Sequence, residues 1–404
     1  MDFAQLPAPS TVSAWLDMDA LDHNIELVNQ KTQAVKLRIA TKSIRSIDVL
    51  RYIQKKTPHF IGLMSISAAE SVYLLQNGFN NILCAYPTLD AQSVAQTLEY
   101  TQQGATMIWM ADRIEHLRLL DEIGRQHSQN IEVCLDINMS MPLPKLYFGT
   151  KRSALMRKSD VKKLMEKAGG LSHIKLNSVM GYEAQIAGLP EYLPGKSLLT
   201  PAIKVLKNGS KKQVSRRRSS IVRWITEQWH QLDLVNGGGS GSGSMDFTSS
   251  QPEVTEITVG SAYYKPAYFD YMDSMNEFKP AAGFVLPITR QPEKGVVTCQ
   301  GGGFIASGSI GIDKAPVIHY PTGLSFLTDE GFGEVQTPLA IDSTLIKNGN
   351  APTIGEAVWC RHAKAGELCE HFNVLYCYRQ DAQLEAEGTA YTMTTYRGEG
   401  KCFH

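Results

Sequence analysis

Lys42 closes a short apolar run in "LRIATKSIR". A lysine so placed should be desolvated, which lowers its pKa toward the neutral amine that condenses with an aldehyde. Two later loops consist of the smallest residues: "LDLVNGGGSGSGS", containing Gly238, Gly239 and Ser240, and "ITVGSAYY", containing Gly260 and Ser261. Their backbone N–H groups and serine hydroxyls could hold an anion such as a phosphate ester. The Gly-Ser run taken alone also has the composition of a flexible linker. The apolar "LDLV" before it and a second small-residue loop one strand later favour the anion site. A reactive lysine facing a phosphate cradle is the chemistry of pyridoxal phosphate.

Two further groups could act. Tyr182, in "VMGYEAQIAGL", ends another apolar run and is either a core aromatic or a wall of the same mouth. "WCRHAKAGELCEHF" carries His362, Cys369 and His371. Imidazole and thiolate suit a borderline metal such as zinc, yet the spacing from His362 to Cys369 matches no compact ligand motif. A buried cysteine among surface histidines is the competing reading.

The elements that must position these residues are legible in the periodicity. Eight near-continuous apolar runs begin at Leu37, Phe60, Asn81, Thr106, Ile131, Ile174, Leu232 and Ile257, as expected of parallel strands covered on both faces. Helical patterns lie between them. Ser67 three residues before Glu70 predicts a capping box, and Ile114, Leu117, Leu120 and Ile123 share one helix face. The basic stretch "KNGSKKQVSRRRSSIVRWITEQW" keeps an apolar stripe of Val214, Ile221, Val222 and Ile225, and reads as a solvated helix face.

Strands alternating with helices predict an α/β fold, a (β/α)8 TIM-type barrel, in preference to a doubly wound sheet. Lys42 and both glycine loops then fall at the C-terminal strand ends, where such barrels carry their reactive groups. Past residue 265 proline and glycine become frequent and the segments read as strands. The expected organisation is a barrel over residues 15–264 and a mostly β domain, formed by 1–14 plus 265–404, that carries the metal candidates.

The 404 residues include 40 Lys plus Arg and 40 Asp plus Glu, so no global field favours nucleic acid or a membrane, and the expected partner is a small molecule. Seven cysteines without a CxxC pair predict reduced thiols and a cytoplasmic location. The N-terminus lacks a signal-peptide pattern, and no apolar run is long enough to span a membrane.

The segments "LDMDALDHNI", "LRIATKSIRS", "VMGYEAQIAGL", "LDLVNGGGSGS" and "EITVGSAYY" together resemble the alanine racemase-like, fold type III pyridoxal-phosphate enzymes. Within them the chain is most similar to the branch of D-threonine aldolase and D-serine dehydratase, the amino acid deaminase/aldolases. "CQGGGFIASG" and "GEVQTPL" extend the likeness into the second half.

The resemblance implies that Lys42 holds pyridoxal 5'-phosphate covalently, that Tyr182 lies beside its ring, and that Gly238, Gly239, Ser240, Gly260 and Ser261 meet its phosphate. It implies a divalent metal (Zn, Mn or Mg) on His362 and Cys369. The family separates its two ligands by one residue, whereas six intervene here, and His371 is the alternative second ligand. The arginine expected on the pyridine side would follow the fifth strand, where Lys151 and Arg152 are available. The implied reaction is metal-dependent retro-aldol cleavage of a 3-hydroxy-D-amino acid to glycine and an aldehyde. The alternatives are dehydration to an oxo acid and ammonia, racemisation, or cofactor binding without turnover. The implied assembly is a homodimer.

Overall fold

The apolar runs become strands where their two faces find cover. The computed structural model describes residues 3, 6, 8–192, 194–195, 197–309, 311–364, 366–379 and 391–403. A first strand, β1 (Ser13–Asp17), precedes the barrel. The eight expected runs fold as β2 (Lys36–Ala40), β3 (Phe60–Ser65), β4 (Asn81–Cys84), β5 (Thr106–Ala111), β6 (Ile131–Asp136) and, after a small hairpin of β7 (Met141–Leu143) and β8 (Leu146–Phe148), β9 (Ile174–Gly181), β10 (Leu234–Gly237) and β11 (Glu256–Val259). They pair in parallel, and β11 returns to β2, closing an eight-stranded barrel.

Along β5 successive side chains enter two different cores. Ile108 and Met110 point inward with Leu83, Cys134, Met180 and Leu234. Met107, Trp109 and Ala111 of the same strand pack outward in the larger core under the helices. From Met107 to Ala111 neither face of β5 reaches water, which is why those five residues are apolar.

The helices start largely where their caps predict. In Ala68–Gln76 the Ser67 hydroxyl accepts from the Glu70 N–H at 3.3 Å. The Glu70 carboxylate reaches back to the N–H of Ile66, one residue earlier than a capping box requires. The basic stretch lies in one helix, Thr200–Gln228, with Val214, Ile221 and Ile225 buried. Its polar face is not wholly solvated: Arg218 is 2% exposed.

The remaining strands are β12 (Ala282–Glu293), β13 (Val296–Gln300), β14 (Val317–Tyr320), β15 (Leu324–Phe326), β16 (Gln336–Ile341), β17 (Ala357–Arg361), β18 (Val374–Tyr378) and β19 (Thr392–Thr394). They form a sheet in the order β15-β16-β13-β12-β1-β18-β19, with β17 joined to β12 and β14. β1 runs antiparallel to β12 and parallel to β18, so the strand before the barrel is built into the sheet that follows it. Trp15, Val285 and Trp359 form a separate small core there. A loop of this β unit lies directly on the barrel mouth: a Cβ at Gly366 would strike the Lys42 carbonyl oxygen. All seven cysteines are free and six are buried. No described helix is long and apolar enough to cross a membrane.

Candidate active site

The barrel brings the separated sequence candidates together. Lys42, Tyr182, Gly238, Gly239, Ser240, Gly260 and Ser261 line one cleft at the C-terminal ends of β2, β9, β10 and β11. The Gly-Ser run is therefore part of the barrel rather than a linker. Gly237, Gly238, Ser240, Gly241 and Ser242 are buried. The "SGSMDF" tail adds to this: Ser244–Ser249 is a short helix with Ser244, Met245 and Thr248 buried.

The two glycine loops are fastened to each other. The Ser240 hydroxyl accepts from the N–H groups of Gly260 at 3.2 Å and Ala262 at 3.0 Å. A hydroxyl that accepts twice still has its proton to give, here into the cleft. Ser261 meets the Ser43 hydroxyl at 3.2 Å, and one of that pair likewise keeps a proton to donate. Gly260 sits so close to Ser43 that a Cβ would come within 2.6 Å of its Oγ. This differs from the sequence expectation in one respect. The Gly260 N–H is used by Ser240 and the Gly238 N–H by Glu183, so an anion would meet serine hydroxyls rather than those two amides.

Glu183, directly after Tyr182, ties this end of the barrel together. Its buried carboxylate accepts from Gly238 N at 2.6 Å and from the Thr248 hydroxyl at 2.8 Å, and it pairs with Arg218 of the long helix. Arg218 also donates to the Gly181 carbonyl at 2.9 Å. Gly238 has φ +87°, a left-handed conformation that only glycine adopts without strain. Lys207 fixes the next part of the loop, donating to Ser242 and Glu191, each at 2.6 Å.

Lys42 itself is exposed, so the expected desolvation is not present. Its Nζ instead faces Tyr86 Oη at 3.4 Å. The Lys42 ammonium, with Arg152 adding to it, holds the Tyr86 phenol below its usual pKa against the opposing effect of burial. Burial raises the Tyr182 phenol. Arg152 lines the cleft, donates to Asp136 at 2.8 Å, and lies over the rings of Tyr86 and Tyr182 at 5.2 and 5.7 Å. Beneath them Arg38 holds Glu256 through two hydrogen bonds of 2.7 and 2.9 Å, and Asn236 donates to Glu256 and Thr258. Tyr86, Glu183 and Asn236 were not among the sequence candidates. A tyrosine two residues past a strand end was the available signal for Tyr86, and nothing local marks the other two.

The metal candidates lie elsewhere. His362 follows β17, is 3% exposed, and has the Ala282 backbone as its polar neighbour. Burial drives its pKa down to about 3, so the ring is neutral. His362 and His371 line a small cavity with Lys364 and Glu367, and Cys369 is not on its wall. Burial pushes the Cys369 thiol up to about 12, and it meets the Tyr264 hydroxyl. Among the described residues no three His, Cys, Asp or Glu side chains form a metal-holding group. His362 and Cys369 do not join a third such side chain in a metal-holding group among the described residues, and neither lines the cleft.

The cofactor candidates do fit: a strand-end lysine, donor hydroxyls that converge at one end of the cleft, and glycines at the points of closest approach.

The structure as a whole is similar to D-threonine aldolase from Filomicrobium marinum (TM-score 0.77, 16% identity, 99% of each chain covered). It is also similar to D-threo-3-hydroxyaspartate dehydratase from Delftia sp. HT23 (TM-score 0.71, 14% identity, 96% of this chain and 99% of that one). Alanine racemase from Clostridium difficile 630, in complex with cycloserine, aligns with TM-score 0.65 and 13% identity over 97% of this chain and 99% of that one. No curated protein matches by sequence. Residues 16–266 match the family described as alanine racemase, N-terminal domain. That match covers more than half of the 404 residues, and the chain belongs to the alanine racemase N-terminal domain family.

Proposed function

We propose that this protein is a pyridoxal-phosphate-dependent lyase that cleaves 3-hydroxy-D-amino acids, by retro-aldol reaction, to glycine and an aldehyde, acting as a homodimer. The observation that carries the reading is the meeting, in one cleft, of the Lys42 amine, the Tyr86 phenol and the Ser240 and Ser261 hydroxyls. Pyridoxal phosphate, when bound, supplies an electron sink for the bond broken at the substrate α-carbon. Lys42 Nζ would hold the cofactor, and the hydroxyls of Ser240 and of the Ser43–Ser261 pair would hold its phosphate. Tyr182 and Arg152 would border the ring. Cα–Cβ cleavage requires loss of the β-hydroxyl proton. Tyr86 Oη, with its pKa held down by Lys42, is suited to take it. No step is assigned to a metal, because among the described residues His362 and Cys369 are not part of a group of three donors.

A second reading, amino-acid racemisation, would need proton-handling groups on both faces of the cofactor, and Tyr86, 3.4 Å from Lys42, would serve the same side as Lys42. One experiment separates the outcomes. The holoprotein is given D-threonine and D-serine, with Mn²⁺ or with a chelator, and aldehyde, ammonia and chiral amino-acid products are measured. Aldehyde with glycine, unchanged by the chelator, is the expected result. Ammonia with an oxo acid would replace the aldolase reading with a dehydratase one, and the L-isomer alone would support the racemase. No product from any 3-hydroxy-D-amino acid would leave a cofactor-binding protein without turnover.

A further inference from the structure

The helix Thr200–Gln228 carries eight lysines and arginines against one carboxylate, Glu227, in a chain whose net charge is zero. Three of the eight are paired: Lys204 with Asp273, Lys207 with Glu191 and Arg218 with Glu183. Lys211 lies over the Phe247 ring at 5.8 Å. Of the rest, Arg216, Arg217 and Arg223 turn toward the start of the neighbouring helix Lys158–Ala168, where Arg157 and Lys158 meet them. None of these five has an ion-pair partner among the described residues. Asp160 is bonded to the Arg157 backbone N–H, and Glu166 pairs with Lys162.

The five cations line two adjoining cavities of about 340 Å³ each, which share Lys158 and Ser220 as walls. That size lies at the lower end of small-ligand sites. Trp224 gives one cavity an aromatic wall, and Glu227 is the only carboxylate on either lining. Like charges one turn apart, such as Lys212 and Arg216, destabilise a helix when no acid stands between them. Of that pair only Arg216 lines the groove, and an anion there would neutralise its side of the repulsion. Planar guanidinium groups match phosphate oxygens in pairs, and an indole can stack on a base. The groove is separate from the cleft that holds Lys42, since the two share no lining residue.

We infer that this groove is a second binding site, for a nucleotide-sized polyphosphate. Arg216, Arg217, Arg223, Arg157 and Lys158 take the phosphates and Trp224 takes the base. Arg217 also donates to the carbonyls of Asn138 at 2.7 Å and Ser140 at 2.8 Å, in the loop between β6 and β7.

The test is calorimetric titration of the pyridoxal-phosphate-loaded protein with ATP, inorganic tripolyphosphate and adenosine, at two salt concentrations. Loading keeps the probes out of the Lys42 cleft. Saturable binding of ATP and tripolyphosphate is expected, at least tenfold weaker in R216S/R223S and weaker at higher salt. Adenosine alone should bind far more weakly. The exposed pair Lys162→Ser and Lys163→Ser, outside the groove, should bind as wild type does. ATP should raise the melting temperature of the wild type and not of R216S/R223S, a readout valid even if the variant's own stability changes. Absence of saturable binding at millimolar probe, or an equal loss in the Lys162/Lys163 variant, would overturn the inference. Tripolyphosphate binding without any preference for ATP would remove the base-recognising role of Trp224.

Discussion

The Glu183 carboxylate accepts the backbone N–H of Gly238 at 2.6 Å, and through the same group the barrel end beside Tyr182 is joined to the glycine loop. Both Glu183 and its partner Arg218 are buried. Replacing Glu183 with Gln leaves the Arg218 charge in the interior without its counter-charge, a change that costs about 3–5 kcal/mol in buried pairs. E183Q should lose stability of that order in urea unfolding and bind pyridoxal phosphate more weakly, because Gly238 loses its strongest acceptor. E183Q/R218M should recover part of the stability. A double variant no more stable than E183Q would show that the pair is not the cause.

Gly260 tests the close approach of the two loops. Gly260→Ala places a methyl group 2.6 Å from Ser43 Oγ and 3.0 Å from the Ala40 Cβ, so the loop must shift. Affinity for pyridoxal phosphate should fall at least tenfold, or about 1.4 kcal/mol, in a fluorescence titration. Affinity for pyridoxal, which lacks the phosphate, should change much less. Equal losses for both ligands would place the phosphate elsewhere.

Lys42→Ala should remove covalent attachment of the cofactor. Borohydride reduction followed by peptide mass spectrometry should find the adduct on Lys42 of the wild type and on no peptide of the variant. An adduct on another lysine would transfer the role to that residue.

Tyr86→Phe deletes the phenol that faces Lys42 at 3.4 Å while leaving the ring under Arg152. If Tyr86 takes the substrate proton, kcat should fall by 10² to 10⁴, the usual range for a general base, with cofactor affinity retained. The alkaline side of the rate profile should persist, and the acidic limb that reports Tyr86 protonation should disappear.

His362 governs an acid response of the fold. Its folded pKa is about 3 against an ordinary value of 6.5, so between those limits the unfolded chain takes up a proton that the folded protein refuses. The stabilisation is complete above pH 6.5 and is lost as pH falls toward 3, by a few kcal/mol, on the order set by the shift. His319, driven down to about 4 chiefly by burial, acts in the same direction. Urea unfolding between pH 7 and 4.5 should show a shallower loss in H362F than in the wild type. Parallel slopes would remove His362 as the source.

All eight barrel strands were readable in the sequence because a strand covered on both faces needs an apolar run, which is a local pattern; "TMIWMA" became β5 with Met107 to Ala111 out of water. The glycine loops were readable for a similar reason, since only small residues permit such close approach. The metal pair was less legible. His362 and Cys369 are near in sequence, but whether they form a donor set depends on burial and on the neighbouring Tyr264, which no spacing records.

The sequence by itself determined the alternation of strands and helices, the helical character of the basic stretch, and the strand-end positions of Lys42, Ser240 and Ser261, since each depends on residue type and short-range periodicity. Tertiary structure decided the rest. Arg218 is 35 residues from Glu183, and Tyr86 is 44 from Lys42. Closing the barrel brings each pair together, and burial then gives the first its strength. A charge run reads the same in sequence whether its arginines face solvent, a carboxylate or an open groove. Only the packing of one helix against its neighbours assigns Arg218 to the interior and Arg216 to the groove.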